Sequence, residues 1–392
     1  MVEWKELGQL GKFENIGTDK KITEGEKLVT LLNYVDVYHH KYIDSSIPQM
    51  QVSASDKKIE SCTVEEGDIF VTPSSETVDD IGHSSVITET ISNAVYSYHI
   101  MRFRLFEKNM LLSYYINYAF DTENVKRQIL KKAQGLTRFG LSKDKFASIS
   151  LPIPSLQEQE RIVAILDTFT ASIDNLKEQI AQRRKQYEHY RDKLLDLEGK
   201  EGVVMKFISD VATNFTGLTY KPSDVRETGL LVLRSSNIVN DHLSFDDNVY
   251  VQMEQVPERA IAKENDILIC VRNGSKRLVG KCAFITHKAN GMAFGAFMTV
   301  LRANSINSKF LYHVWKSSKV RLQYKGEESM PIAQITNKDF NKISIPIPSL
   351  DEQQHIVSIL DTFEASITNL EAQLREREKQ YEYYRNKLLT FE

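Results

Sequence analysis

A segment of 48 residues occurs twice in this chain of 392 residues, and this repeat constrains the fold more than any other feature. The copies run from Leu151 to Glu198 and from Ile345 to Glu392. They align without a gap at a constant offset of 194, and about two thirds of the paired residues are identical. An internal repeat of this length indicates two copies of one architectural unit.

Each copy predicts a long helix that begins after a pair of prolines. Pro152 and Pro154 keep the first approach extended, so a helix cannot begin before them. The S-x-x-E sequence that follows, Ser155 to Glu158, is a capping box in which the hydroxyl and the carboxylate each accept a hydrogen bond from a backbone N–H. The second copy repeats this pattern. We expect Gly199 to end the first helix.

The apolar residues of both helices alternate at spacings of four and three residues, which is the heptad pattern of a coiled coil. Each seam extends over about five heptads, so each helix is roughly 60 Å long. The simplest partner for each seam is the equal seam of the other helix. The seam residues are Ile162, Leu166, Phe169, Ile173, Leu176 and Ile180, and Ile356, Leu360, Phe363, Ile367, Leu370 and Leu374.

The segment before each long helix predicts a mixed domain of strands followed by short helices. We therefore predict an α+β protein. Two mixed α/β domains are expected in a pseudo-two-fold arrangement, separated by two long antiparallel coiled-coil helices. The predicted boundaries are 1–150 for the first domain, 151–202 for the first helix, 203–344 for the second domain and 345–392 for the second helix.

The net charge of −3 is distributed unevenly. Residues 203–350 contain 19 Lys and Arg against 13 Asp and Glu, whereas residues 351–392 contain 5 against 9. A basic domain on acidic helices predicts that the domain meets a polyanion and that the helices meet protein. No apolar run reaches 18 residues and no signal peptide is evident, so we expect a cytoplasmic protein without a membrane partner.

The duplicated motif P-I-P-S-L-x-E-Q-x-x-I-V-x-I-L-D-T-F, followed by a long heptad helix, resembles the specificity subunit of type I restriction-modification systems. In the second domain, Arg234-Ser-Ser-Asn237 and Arg272-Asn-Gly274 also resemble family motifs. The first domain departs from these motifs, because it has Leu32-Asn33-Tyr34 where the second domain has the Arg234 motif. The resemblance implies two target recognition domains, each reading one half of a split sequence in double-stranded DNA.

The same resemblance implies a subunit without catalytic activity. It would dock two adenine methyltransferase subunits and, through them, the restriction subunits that carry the motor and the endonuclease. It needs no cofactor of its own, because S-adenosylmethionine belongs to the methyltransferase. Arg183 and Arg377 interrupt the two seams, and we expect each to pair with a local carboxylate or with a methyltransferase helix.

The residues themselves also favour a protein that reads DNA without reacting with it. We predict no catalytic residue, since the Asn-Pro-Pro-aromatic motif of an amino-methyltransferase is missing from the sequence. We predict no metal site either. His39 and His40 are adjacent, and neighbouring residues of a strand point to opposite faces.

Arginine, lysine, asparagine and glutamine can distinguish base pairs in the major groove, whereas cations near phosphates position a protein without specifying sequence. The predicted base contacts of the second domain are Arg234, Ser236, Asn237, Arg272, Asn273, Ser275, Lys276, Arg277 and Gln334. Those of the first domain are Gln134, Thr137 and Arg138. The predicted phosphate contacts are Lys126, Arg127, Lys131, Lys132, Lys319, Arg321 and Lys325.

Two other classes of protein fit part of this pattern. A freestanding DNA-binding regulator would read a bipartite target and use the helices only as a ruler. A scaffold with two protein-binding domains is disfavoured by the basic second domain. An adenine methyltransferase encoded in a neighbouring reading frame would favour a specificity subunit over the freestanding regulator.

Overall fold

The computed structural model describes residues 2–324 and 333–391. The chain forms two compact units, unit 1 from residues 1–177 and 372–392 and unit 2 from residues 178–371. Each unit combines sheets and short helices with parts of both long helices. The predicted α+β class is therefore confirmed. In the described ranges, no helix has the length and apolar content needed to cross a lipid bilayer.

The two long helices have equal lengths, Leu156–Leu194 and Leu350–Leu388. The hydroxyl of Ser155 accepts the backbone N–H of Glu158 at 3.4 Å, as the capping box predicts. The Glu158 carboxylate pairs instead with Arg161 at 2.6 Å. The first helix ends at Leu194 and not at Gly199, because the chain turns there to bury two leucines in the core of unit 2.

Unit 1 contains a five-stranded sheet and a three-stranded sheet. The order in the first is Gly11–Glu14, Met101–Leu105, Ile69–Val71, Ser84–Ile87 and Tyr42–Ile43, and in the second Met50–Ala54, Lys27–Leu32 and Ala94–Tyr96. Two further pairs join Glu3–Glu6 to Ser150–Ile153 and Ser74–Ser75 to Phe139–Gly140. The short α-helices are Leu7–Leu10, Tyr34–His39, Asp56–Ser61, Met110–Ala119, Glu123–Lys132 and Lys143–Ala147.

Unit 2 contains two four-stranded sheets. Their orders are Ala212–Thr216, Met298–Ala303, Ile267–Cys270 and Cys282–Phe284, and Val225–Arg226, Tyr250–Val251, Leu230–Leu233 and Ala293–Phe294. Three further pairs join Val204–Phe207 to Ser344–Ile347, Ile238–Val239 to His242–Leu243, and Arg272–Asn273 to Ala333–Gln334. The short α-helices are Ile208–Val211, Ser308–Lys316, Ser318–Tyr324 and Asn337–Phe340.

An ion pair between a buried aspartate and a half-buried arginine stands at the same place in both units. Asp68 accepts two hydrogen bonds from the Arg104 guanidinium, at 2.6 and 2.7 Å, and Asp266 accepts two from Arg302, both at 2.7 Å. Each aspartate directly precedes a central strand and each arginine lies on the neighbouring strand, so the pair joins the two strands. The domains therefore share a scaffold even where their sequences have diverged.

The predicted seam residues are all buried or half-buried. In unit 1 the ring of Phe169 stacks on Tyr384, and in unit 2 the ring of Phe363 stacks on Tyr190, both with centroids 5.4 Å apart. Within unit 2, Arg184 on the first helix pairs with Glu371 on the second at 2.5 Å. Later residues of one helix thus meet earlier residues of the other, and the predicted antiparallel packing is confirmed inside this unit.

The two seam arginines lie over aromatic rings. The Arg183 guanidinium is 6.0 Å from the ring centroid of Phe363, and that of Arg377 is 5.7 Å from the ring centroid of Phe169. In the described ranges each guanidinium faces an aromatic ring, which attracts a cation, and no ion pair joins it to the expected local carboxylate. The expected contact with a methyltransferase helix stays a prediction.

The repeated aspartate of the I-L-D-T-F motif joins each long helix to its domain through different partners. In unit 1, Asp167 accepts hydrogen bonds from the hydroxyls of Tyr42 at 2.5 Å and Tyr118 at 2.6 Å. In unit 2, Asp361 lies 3.0 Å from Nε2 of the fully buried His313. The aspartate at this position of the repeat thus contacts two tyrosine hydroxyls in unit 1 and a histidine ring in unit 2.

The His313 ring is enclosed by charged and polar groups from both long helices. Tyr187 Oη lies 3.0 Å from its Nδ1, and Glu364 lies 4.0 Å from the same atom. Lys316 donates to Glu364 at 2.8 Å, and Lys309 lies 3.4 Å from Asp361. Since ammonium groups already neutralise both carboxylates, the cluster is an ion-paired network.

Unit 2 is expected to lose stability between pH 7 and pH 5 through His313. Burial, opposed by Asp361 and Glu364, lowers the pKa of His313 below its ordinary 6.5. The unfolded chain therefore binds the proton first as the pH falls, and stability declines below about pH 6.5. The free energy of unfolding, measured by urea denaturation, should fall by at most about 2 kcal/mol over this range.

The His313→Gln variant supplies the control for this prediction. Burial also lowers the pKa values of His83 and His99 in unit 1, but both residues remain in the variant. Subtracting the variant's pH profile from that of the wild type therefore isolates His313. Equal profiles would contradict the prediction.

Candidate nucleic-acid interface

A cavity of about 590 Å³ opens at the ends of several strands in unit 2. One wall is formed by the residues directly after the strand Leu230–Leu233. Another is the turn between Ala293–Phe294 and Met298–Ala303. Apolar, aromatic, polar and charged residues share the lining, as in pockets where a few polar groups orient a ligand. The lining residues are Leu218, Thr219, Tyr220, Arg234, Ser235, Ser236, Asp247, Gly295, Ala296, Phe297 and Met298.

Asn237 organises the first wall of this cavity from inside the protein. Its side-chain oxygen accepts the backbone N–H of Arg234 at 2.9 Å. Its side-chain nitrogen donates to the carbonyls of Ser244 and Asp247, both at 3.1 Å. Because Asn237 is completely buried and its carboxamide is used internally, its predicted base contact is wrong. It positions Arg234 and Ser236 instead.

The basic loop predicted from the sequence lies next to the cavity. Asn273 donates to the hydroxyl of Ser235 at 3.2 Å, which ties the loop to the cavity wall. Arg272 stands directly opposite Gln334 in a short two-stranded ribbon, Arg272–Asn273 with Ala333–Gln334. The structure therefore brings together five predicted residues of the second domain: Arg234, Ser236, Arg272, Asn273 and Gln334.

Unit 1 has a ribbon in the corresponding place. Ser74 stands opposite Gly140, and the Arg138 guanidinium donates to the Ser74 hydroxyl at 3.3 Å. Gln134 and Thr137 are exposed in the same loop. Gly135 has a φ of +139°, and a Cβ there would lie 1.9 Å from the Arg138 carbonyl, so the loop requires glycine.

Aromatic residues of these surfaces are not among the predicted contacts. Phe297 is 59% exposed, and the Arg272 guanidinium lies 5.4 Å from its ring centroid. In unit 1 the matching turn carries Tyr98 and His99, whose rings are 4.0 Å apart. The available signal was an aromatic residue in the turn between two buried strands, since a core residue has no reason to stand there.

The predicted phosphate contacts differ in how accessible their charges are. Lys126, Arg127, Lys131 and Arg321 are exposed, as is the loop that carries Ser275, Lys276 and Arg277. Lys132 is half-buried and donates to the backbone carbonyl and the hydroxyl of Ser148. Lys319 pairs with Asp196 at 2.6 Å and Glu198 at 3.4 Å. Lys325 lies outside the described residues.

The sequence matches the profile of the type I restriction modification DNA specificity domain over residues 1–183 and 200–378. The chain belongs to this family. Its two matched stretches correspond to the two copies of the domain and helix.

Two curated relatives are specificity subunits of type I restriction enzymes from Escherichia coli. The EcoR124I/EcoR124II subunit is 31% identical over 270 residues, which are 66% of this chain and 66% of that subunit. The EcoKI subunit is 35% identical over 182 residues, which are 45% of this chain and 39% of that subunit. The matched part thus spans less than two thirds of either relative.

The fold is similar to that of the type I restriction-modification S subunit of M. genitalium. The TM-score is 0.56 at 15% identity, covering 100% of this chain and 97% of that structure. At this identity the likeness supports the fold alone.

Removing the Asn237 carboxamide should destabilise unit 2. The Asn237→Ala variant leaves the backbone N–H of Arg234 and the carbonyls of Ser244 and Asp247 without this partner, at a cost of about 1–3 kcal/mol. Ser236→Ala, at the exposed neighbouring position, should change the free energy of unfolding by less than about 0.5 kcal/mol. Urea denaturation compares the two variants, and equal effects would show that Asn237 does not hold this wall.

Proposed function

We propose that this chain is the sequence-specific DNA-recognition subunit of a type I restriction-modification complex, with one half of a split target read by each domain. The observation that carries the proposal is a shared scaffold with different surfaces. The ion pairs Asp68–Arg104 and Asp266–Arg302 are the same in both units. The ribbon that presents Arg272 in unit 2 presents Ser74 at the matching position in unit 1.

A chain that reads two different half-sites needs this combination. The common scaffold places each surface on the duplex in the same way, whereas direct readout requires different side chains for different base pairs. Arginines, amides and exposed aromatic rings at the strand ends suit base edges and thymine methyl groups. The exposed cations beside them suit phosphates.

The chemistry is assigned to partner subunits. The chain would dock two adenine methyltransferase subunits and, through them, the restriction subunits. S-adenosylmethionine would bind only to the methyltransferase. The two curated relatives carry the name specificity subunit, and the repeated helices offer two equivalent surfaces for equal partners. Because the substrate is DNA of the cell or of an invading genome, the complex would act in the cytoplasm.

The test is single-molecule methylome sequencing of cells that express the chain with the adenine methyltransferase encoded beside it. We expect a split motif with methyladenine in both halves. Exchanging residues 203–344 for those of a related chain should alter one half only, and exchanging residues 1–150 should alter the other. The incoming second domain should retain His313 and Lys316, since these side chains hold it on the long helices.

A stable complex that adds no methylation would contradict this function. Sequence-specific binding by the chain alone, without a methyltransferase, would favour a freestanding bipartite regulator instead.

Two neighbouring cations of unit 2 should contribute unequally to DNA binding. Arg321 is exposed, whereas Lys319 already pairs with Asp196 and Glu198. Arg321→Ala should weaken binding equally across sequences and reduce the slope of log K against log salt by about one. Lys319→Ala should change the affinity by less than about twofold. Titration of the complex with duplex DNA at several salt concentrations measures both, and a larger effect of Lys319→Ala would contradict the assignment.

A further inference from the structure

Arg272 differs from two other arginines of unit 2. Arg234, which lines the cavity, pairs with Asp247 at 2.9 Å, and Arg302 pairs with Asp266. The Arg272 side chain is exposed, and its guanidinium lies over the ring of Phe297 at 5.4 Å. Among residues 2–324 and 333–391, no carboxylate or carbonyl accepts a hydrogen bond from this guanidinium. Toward the part of the chain that the structure describes, its donors are therefore available to a ligand.

The backbone holds the guanidinium and the ring together. The backbone N–H groups of Val271 and Arg272 both donate to the carbonyl of Phe297, at 3.0 and 3.2 Å. A phenylalanine that is 59% exposed adds little to the core, so its ring has no strong structural reason to stand there. Stacking on an aromatic face orients the planar guanidinium while leaving its hydrogen-bonding edge open.

The ribbon adds a second side chain on the same face. Arg272 and Gln334 are directly opposite each other, and Cβ atoms of such pairs are about 4.5–5.5 Å apart. A two-stranded ribbon fits the major groove, where arginine pairs with guanine and glutamine with adenine through two hydrogen bonds each. Asn273 faces inward to Ser235 and also accepts the backbone N–H of Ser275, so it positions the ribbon.

We propose that Phe297 braces Arg272 as the guanine-reading residue of unit 2, and that Gln334 reads the neighbouring base pair. This inference rests on the proposed function and assigns one position of one half-site. A phosphate contact needs only a mobile positive charge, whereas a guanine contact needs a guanidinium held in one plane. The ring beneath Arg272 meets the second requirement.

Unit 1 provides the internal comparison. Ser74 and Gly140 occupy the ribbon positions of Arg272 and Gln334, and the nearby Arg138 is bonded to Ser74. The two ribbons therefore present different groups at the same place. A change at Arg272 or Phe297 should leave the half-site of unit 1 untouched.

The test uses the complex with its methyltransferase and three variants. Arg272→Lys keeps the charge but removes the planar fork, and Phe297→Leu keeps an apolar side chain but removes the ring. Phe297→Tyr keeps the ring and is the matched control. We expect the wild-type half-site of unit 2 to contain a G·C pair that becomes degenerate in Arg272→Lys and Phe297→Leu. The Phe297→Tyr motif should equal that of the wild type.

Competition binding with duplexes altered at that pair gives the second readout. Discrimination against A·T should fall on the order of 10- to 100-fold in Arg272→Lys and Phe297→Leu, with affinity for the altered duplex preserved. An unchanged motif in either variant, or a uniform loss of methylation at all sites, would overturn the proposal. A wild-type complex without a split methylated motif would overturn the proposed function itself, whatever the variants do.

Discussion

Burial of the repeated apolar seam is the constraint on which each unit depends. A helix of 39 residues with one apolar stripe gains most of its stability in a protein by packing that stripe against another surface. Within each unit the partner is a stretch of the other long helix, with Phe169 on Tyr384 or Phe363 on Tyr190 at the contact. The repeat thereby builds each unit from two distant parts of the chain.

The attachment of each domain to its helices shows how far the copies have diverged around an unchanged residue. Asp167 and Asp361 are the same residue of the repeat, yet one accepts from tyrosines and the other from a buried histidine. A carboxylate at this position is compatible with any donor that the domain supplies. The domain can therefore change its sequence without losing its place on the helix, which is what a family of readers with different targets requires.

The sequence was informative about the candidate site where function depended on local chemistry. The basic loop around Arg272 lies on the surface as predicted, because its charges cannot be buried without partners. Asn237 was misassigned because its type suits both a base contact and an internal cap, and only its burial separates the two roles. The ion pairs of Lys319 with Asp196 and Glu198 could not be predicted, because these partners are more than 120 residues away in the chain.

By itself, the sequence determined the two long helices, their antiparallel seam and the presence of two domains of one plan. Heptad spacing, capping residues and a gapless repeat are local or periodic signals, and they hold whatever the rest of the chain does. Only the tertiary structure decided which polar side chains face outward and which meet inside. The brace of Phe297 under Arg272 shows the reason: it depends on hydrogen bonds between strand ends that no spacing in the sequence encodes.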